Sequence, residues 1–380
     1  MKIFNLDDYL ADLKYLVNFD NGSYTPSGTA KVADFFSEKF KSAGWYVEEI
    51  EVSDKVGPCL KITNCSDDTY DLLLLGHMDT VFPEGTATQR PYKIDESGIV
   101  TGVGVSDMKG CILLSYYALL ELQAANKLNN TRICFLLNSD EEISSIYSRS
   151  LIEEVAKKCK YALVIEAARK NGDMVKLRSG VGHYKLTATG VAAHAGVNPQ
   201  DGSSALNELA HWIIKLHQLS NYDIGTSVNV GIVHGGSAVN VVTDYATAEV
   251  DVRFRTLEEA ARIEAAIQAL TEQSFTAGGA KVTYEGGINR PVMLPSKETL
   301  ALCDTISKFG KELNIDFNWV ETGGGSDGNF TAALGLPTVD GMGPIGAGGH
   351  STKEWLDTKS VEPRLKLQMK TIDYIVHNLE

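Results

Sequence analysis

Three short runs of uninterrupted apolar residues constrain this chain most: Leu72-Leu73-Leu74-Leu75, Ile133-Cys134-Phe135-Leu136-Leu137 and Ala162-Leu163-Val164-Ile165. A strand with one wet face alternates apolar with polar residues. A strand covered by helices on both faces reads as a continuous apolar run. Helical spacing fills the intervals at about 108–124 and 145–158. The resulting β-α-β-α-β order predicts an α/β fold with a doubly wound, mostly parallel sheet. Two helices precede it. One carries Tyr9, Leu10, Leu13, Leu16 and Val17; the other carries Val32, Phe35, Phe36 and Phe40 and stops at Gly44. Strands are expected at Trp45–Val52 and Cys59–Thr63.

The pattern changes near Ser179-Gly180. Strand-like 182–190, a helix over 203–219, strands at 226–234 and 245–255, a helix at 257–275 and a strand at 281–285 follow. That β-α-β-β-α-β order predicts an inserted α+β, ferredoxin-like unit. After Arg290-Pro291 the α/β alternation resumes, with a helix near 297–313, a short strand at Pro337–Val339 and a last helix from about 362. The expected division is therefore 1–178 with 289–380 as one domain and 179–288 as a second inserted into it.

The 380 residues include 35 Lys and Arg against 49 Asp and Glu, a net charge of −14. Phosphate contacts need basic surface, so nucleic acid is not an expected partner. Six cysteines are scattered without a C-x-x-C pair, which fits neither a zinc ribbon nor a disulfide framework. A reduced, cytoplasmic compartment is the expected setting. The opening MKIFNLDDYLADLKYL is broken by Asp7, Asp8, Asp12 and Lys14 and is not expected to be a signal peptide. No window approaches the roughly 20 apolar residues of a membrane span, so no membrane association is expected.

Ligand sites in open α/β sheets lie beyond the carboxyl ends of the strands. Here the apolar runs lead into Gly76-His77-Met78-Asp79, into Asn138-Ser139-Asp140-Glu141-Glu142 and into Glu166. Taken singly, a histidine after a strand is usually structural, and adjacent glutamates usually open a solvated helix. Gly102-Val103-Gly104-Val105-Ser106-Asp107 reads G-x-G-x-x-D, so a dinucleotide site is a poor second choice. What favours a site is convergence: four loops deliver His and carboxylates to one edge of one sheet. Such ligands suit Zn²⁺ and related divalent ions. In H-x-D on an extended chain, Asp79 points the same way as His77 and can fix its tautomer. Glu141 and Glu142 point apart, so one can face a metal and the other a water.

The words GHMDTV, GVGVSDMKG, NSDEE, IEAAR, AAHAG, GGGSD and GGHS, in that order, resemble the co-catalytic di-zinc exopeptidases and amidohydrolases. That family includes glutamate carboxypeptidase, aminoacylase, succinyl-diaminopimelate desuccinylase and tripeptidase. The resemblance covers nearly the whole chain and implies that residues 1–178 and 289–380 form a di-zinc catalytic domain and 179–288 a dimerisation domain. It implies His77 and Glu166 on one zinc, Glu142 and His350 on the other, Asp107 bridging both, Asp79 orienting His77, and Glu141 as general base. It implies a cis Asp107–Met108 peptide. His194 resembles a histidine that reaches the substrate carbonyl from the partner subunit, Asn240 and Arg253 resemble holders of a substrate's terminal carboxylate, and Arg290 lies where glutamate carboxypeptidase places a substrate-binding arginine. Gly324, in Gly323-Gly324-Gly325-Ser326-Asp327, permits close backbone approach to a ligand. Taken alone, His194 reads as a loop histidine and Arg253 as a sheet-surface charge. Two positions depart from the family pattern: Ala167 stands where Pro often follows the third-strand glutamate, and Cys111 where a second glycine often closes the helix-opening word.

The expected function is hydrolysis of an amide bond in a small peptide or N-acyl amino acid with a free carboxylate, closest to the glutamate carboxypeptidase branch. The expected cofactors are two zinc ions per subunit, with cobalt or manganese as alternatives, and the expected assembly is a homodimer. An aminoacylase or desuccinylase is the alternative within this chemistry. From other classes stand a nucleotide-dependent oxidoreductase on the G-x-G turn and a non-catalytic binding protein. The intact Glu141 argues against the last, since a binder needs no base.

Overall fold

A computed structural model describes residues 3–276 and 278–379. Its largest sheet has eight strands, in the order Tyr46–Ile50, Cys59–Thr63, Ile133–Asn138, Leu72–His77, Ala162–Val164, Thr338–Asp340, Met174–Arg178, Trp319–Thr322. The four at its centre, from Ile133–Asn138 to Thr338–Asp340, run parallel. Antiparallel strands flank them.

The apolar runs behave as two-sided strands. Leu72, Leu74, Ile133, Phe135 and Leu137 join a core built with the helices Leu6–Val17, Pro26–Ser42, Gly110–Ala124, Lys297–Glu312 and Val361–Asn378. Leu73, Leu75, Cys134, Leu136 and Ala162 join a separate core on the opposite face, with Ile152, Val155 and Phe330 from the helices Arg149–Ala156 and Gly328–Ala333. Successive side chains of a strand point to opposite faces, so an unbroken run is what a twice-covered strand needs. Burying each Leu, Ile or Phe of these runs stabilises by roughly 1.5–3 kcal/mol. Gly44 closes the second helix as expected: at φ 83°, it lets the Gly44 and Trp45 N–H groups reach the carbonyls of Lys41 and Phe40, each at 3.0 Å.

Two helices that follow central strands start later than their periodicity predicts. The first starts at Gly110 rather than near 108, because Asp107 (φ −122°, ψ 84°) and Met108 (φ −135°, ψ 31°) are not helical. The Asp107–Met108 peptide is cis. The second runs over Arg149–Ala156 only. Ser144 and Ser145 adopt positive φ, and the Asp140 carboxylate takes the N–H groups of Tyr147 and Ser148 at 2.7 and 3.2 Å.

The chain divides into two compact units. One runs up to Leu177 and resumes over Met293–Glu321 and from Ser326 on; the other is Arg178–Val292 with Thr322–Gly325. The segment Thr322–Gly325 departs from the expected division. It sits with the second unit because Ser179 N–H donates to Thr322 at 2.9 Å and the Arg178 guanidinium to Gly324 and Gly325, each at 3.1 Å.

The second unit is a four-stranded antiparallel sheet, ordered Ser227–Gly235, Tyr245–Phe254, Gly180–Thr189, Lys281–Arg290, with helices Ala205–His217 and Leu257–Thr271. This is the ferredoxin-like order. The first helix turns Ala205, Leu209, Trp212 and Leu216 into the core, while Leu206 is exposed. A stripe of Leu206, Leu209, Ile213 and Leu216 also has helical spacing, and the packing does not choose it. Among the described residues no helix is long and apolar enough to cross a membrane.

Candidate active site

The parallel strands end where the chemistry begins. His77 is the last residue of its strand, Asn138 the last of its neighbour, and Glu166 lies two residues beyond Val164. Asp79, fully buried, joins these ends. Its Oδ1 lies 3.3 Å from His77 Nδ1 and accepts the Glu141 N–H at 3.2 Å. Its Oδ2 accepts the Glu142 N–H at 3.1 Å and the Ser23 hydroxyl at 2.6 Å. With Nδ1 turned to Asp79, Nε2 of His77 faces Asp107 Oδ1 at 3.1 Å and Glu166 Oε1 at 3.6 Å.

The second oxygen of Asp107 turns elsewhere. Its Oδ2 lies 3.5 Å from His350 Nε2, which lies 2.9 Å from Glu142 Oε2. Two groups result, His77–Asp107–Glu166 and Asp107–Glu142–His350, each with its ligand atoms within 4.8 Å of one another. Asp107 belongs to both.

Their electrostatics ask for positive charge. Burial opposes protonation of His77, but Asp107, Asp79 and Glu166 outweigh it and raise its pKa well above the usual imidazole range. Asp107 and Glu142 push that of His350 up to about 11. Burial would raise Asp107, yet His350 and His77 hold its carboxyl well below the usual range. Burial, then the Asp107 charge, raises Glu142 to about 7. Imidazole nitrogens and carboxylate oxygens, with protons held where cationic charge is wanted, fit a pair of divalent ions.

A four-stranded sheet of very short strands brings the two halves of the second group together. Its order is Gly346–Ala347, Trp355–Asp357, Ile99–Thr101, Lys93–Ile94. His350 lies in the hairpin of the first two, at φ 61°, and the Asp107 loop leaves the third. Periodicity misses such strands, and it misses their tie. Glu354, fully buried, accepts the N–H groups of Gly104, Ser106 and Asp107. Lys109 is also buried and donates from Nζ to the carbonyls of Val103 and Phe19 at 3.2 and 3.3 Å. Burial lowers its pKa to about 7. Asn138 donates to Asp327 at 2.6 Å, so the Gly-rich word is anchored to the strand that precedes Glu141.

The other expected site residues lie in the second unit. His194 and Asn240 come together there. Strand Ala193–His194 pairs with Val241–Val242, and the Ala195 N–H donates to Asn240 at 2.9 Å. Both residues are exposed. His194 Nδ1 accepts the N–H groups of Gly196 and Val197, each at 3.1 Å. A nitrogen that accepts carries no proton, so the neutral ring holds its proton on Nε2. The Arg253 fork is filled by Asp251, from Nε at 2.9 Å and Nη2 at 2.8 Å. Arg290 is almost fully buried, and a Cβ on Gly325 would meet its Cδ at 2.9 Å. Gly324 is exposed beside Arg178.

An α/β sheet with two His–carboxylate groups at its strand ends is a candidate two-metal centre. The chain belongs to peptidase family M20/M25/M40, whose family model matches residues 73–374. It is 28% identical to carboxypeptidase G2 of a Pseudomonas species over 372 residues, 95% of this chain and 87% of that one. It is 30% identical to succinyl-diaminopimelate desuccinylase of Cupriavidus taiwanensis over 311 residues, 77% of this chain and 79% of that one. Its fold is shared with a tripeptidase from Staphylococcus aureus at a TM-score of 0.80 and 24% identity, covering 99% of this chain and 100% of the other.

Proposed function

We propose that the chain is a di-zinc exopeptidase. It cleaves the amide bond of peptidyl or N-acyl amino acids that carry a free carboxylate, in the manner of a glutamate carboxypeptidase. The observation that carries this reading is the division of Asp107, one oxygen toward His77 and the other toward His350. His77, Glu166 and Asp107 would hold one ion; Glu142, His350 and Asp107 would hold the other. When bound, the pair supplies charge that polarises the scissile carbonyl and acidifies a water. The Glu141 carboxylate takes the proton from the attacking water and delivers it to the leaving nitrogen. Asp79 keeps His77 in the Nδ1–H tautomer and fixes the backbone of Glu141 and Glu142. His194 donates from Nε2 to the oxyanion in the active site of a second copy. Asn240, Arg290, Gly324 and Arg253, which shares its fork with Asp251, receive the substrate carboxylate.

The working form in this reading is a cytoplasmic homodimer joined along helix Ala205–His217 and the edge strand Ser227–Gly235. Its support is the apolar surface these elements expose, at Leu206 (40%), Ile214 (57%), Ile232 (47%) and Val233 (43%).

The test is metal analysis of the purified chain together with hydrolysis of a panel of peptidyl and N-acyl amino acids. Two zinc ions and preferred cleavage of peptidyl glutamate are expected. The desuccinylase relative, at 30% identity, favours a second reading as an N-acyl amino acid amidohydrolase. Faster cleavage of N-succinyl or N-acetyl substrates decides for it.

A further inference from the structure

We propose that Glu354 is a positioning residue: it ties the Asp107 loop to the His350 turn and so sets how tightly the site holds its cations. The inference rests on the di-metal reading above. Glu354 stands four residues after His350 and is fully buried. Its Oε1 accepts the Ser106 N–H at 2.9 Å, the Asp107 N–H at 3.1 Å and the Ser106 hydroxyl at 3.3 Å. Its Oε2 accepts the Gly104 N–H at 3.0 Å. A buried carboxylate is costly unless hydrogen-bonded, and here both oxygens are spent on one loop.

The two segments also meet where glycine backbone lies against side chains. A Cβ on Gly346 would lie 2.4 Å from Ser106 Cβ, and one on Gly349 would lie 2.8 Å from Asp107 Oδ2. Glu354 thus fixes the amide of the residue whose carboxylate divides between the two groups, from the hairpin that supplies one group's histidine. The other residues are placed differently: Asp79 holds the Glu142 amide, and Glu166 lies two residues beyond the end of a central strand. The Asp107–His350 geometry depends on Glu354 in particular. Glutamine at this position keeps the volume but turns one acceptor into a donor facing backbone N–H groups.

The experiment is zinc titration of the metal-stripped full chain by calorimetry, with thermal melting alongside. The wild type is expected to bind two zinc ions, and Glu354→Gln to bind them about 10–100-fold more weakly, the usual effect of removing an outer partner of a ligand. Glu208→Gln is the control. Glu208 is a fully buried carboxylate in the second unit that accepts the Phe275 N–H and the Thr276 hydroxyl. Its replacement is expected to lower the melting temperature and leave zinc affinity unchanged. If Glu354→Gln fails to fold, Glu354→Asp, which keeps the charge and draws the carboxylate back, takes its place with the same expectation. Wild-type zinc affinity in the folded Glu354 variant, whatever its melting temperature, overturns the inference. A wild-type chain that binds fewer than two zinc ions overturns the di-metal reading and this inference with it.

Discussion

The Asp79 carboxylate stands 3.3 Å from Nδ1 of His77 while its two oxygens also take the backbone N–H groups of Glu141 and Glu142. One buried side chain therefore orients an imidazole at the end of one strand and the adjacent glutamates after the next. Asparagine at this position would turn an amide donor toward groups that are donors already. Asp79→Asn is expected to lower turnover and to destabilise the fold by about 1–3 kcal/mol, the cost of a buried polar group left unpaired. Kinetics and chemical denaturation check both effects; wild-type values in both would remove Asp79 from this role.

Glu141→Gln is expected to retain two zinc ions and to lose roughly 10²–10⁴-fold in turnover, the usual worth of a general base. Metal analysis and steady-state rates measured on one preparation separate the two properties. Turnover at the wild-type level would show that another group moves the proton.

Zinc binding is expected to release protons. The Asp107 and Glu142 carboxylates push His350 up to about 11, so at neutral pH its ring carries a proton that a cation must displace. Glu142, raised to about 7 by burial and the Asp107 charge, adds a second proton as the pH falls below that value. Affinity should therefore rise with pH and weaken on acidification. Calorimetry in buffers of different ionisation enthalpy counts the protons, and zero net release near pH 7 contradicts the assignment.

Mixing His194→Ala with Glu141→Gln under conditions of subunit exchange is expected to restore activity. Each homodimer lacks either the oxyanion donor, worth about 10²–10³-fold, or the base. A mixed dimer has one site with both. Proven exchange without recovery would mean that His194 serves its own chain or no site.

The central sheet and the His and carboxylate residues at its strand ends were legible because each apolar run carries polar chemistry at its carboxyl end: Leu72–Leu75 leads to His77 and Asp79, and Ile133–Leu137 to Glu141 and Glu142. Glu354 and Ser23 were not legible. Their bonds to Asp107 and Asp79 span 247 and 56 residues, and no local spacing encodes them. Helix Ala205–His217 shows a different limit. Residues 206, 209, 213 and 216 and residues 205, 209, 212 and 216 are both helical stripes, and only the packing that buries Trp212 and exposes Leu206 chooses between them. The strands Ile99–Thr101 and Gly346–Ala347 are too short to show any period.

The placement of His350 bears on how the chain is made. His77, Asp107 and Glu166 all precede the second unit, whereas the central strand Thr338–Asp340 and His350 follow it. Synthesis runs from the amino terminus, so a ribosome-bound chain that has just completed its second unit carries all of one His–carboxylate group and lacks the histidine of the other. It also lacks a strand from the middle of its main sheet. The group that needs His350 cannot assemble on such an intermediate, so the paired arrangement around Asp107 is completed only by the last segment of the chain.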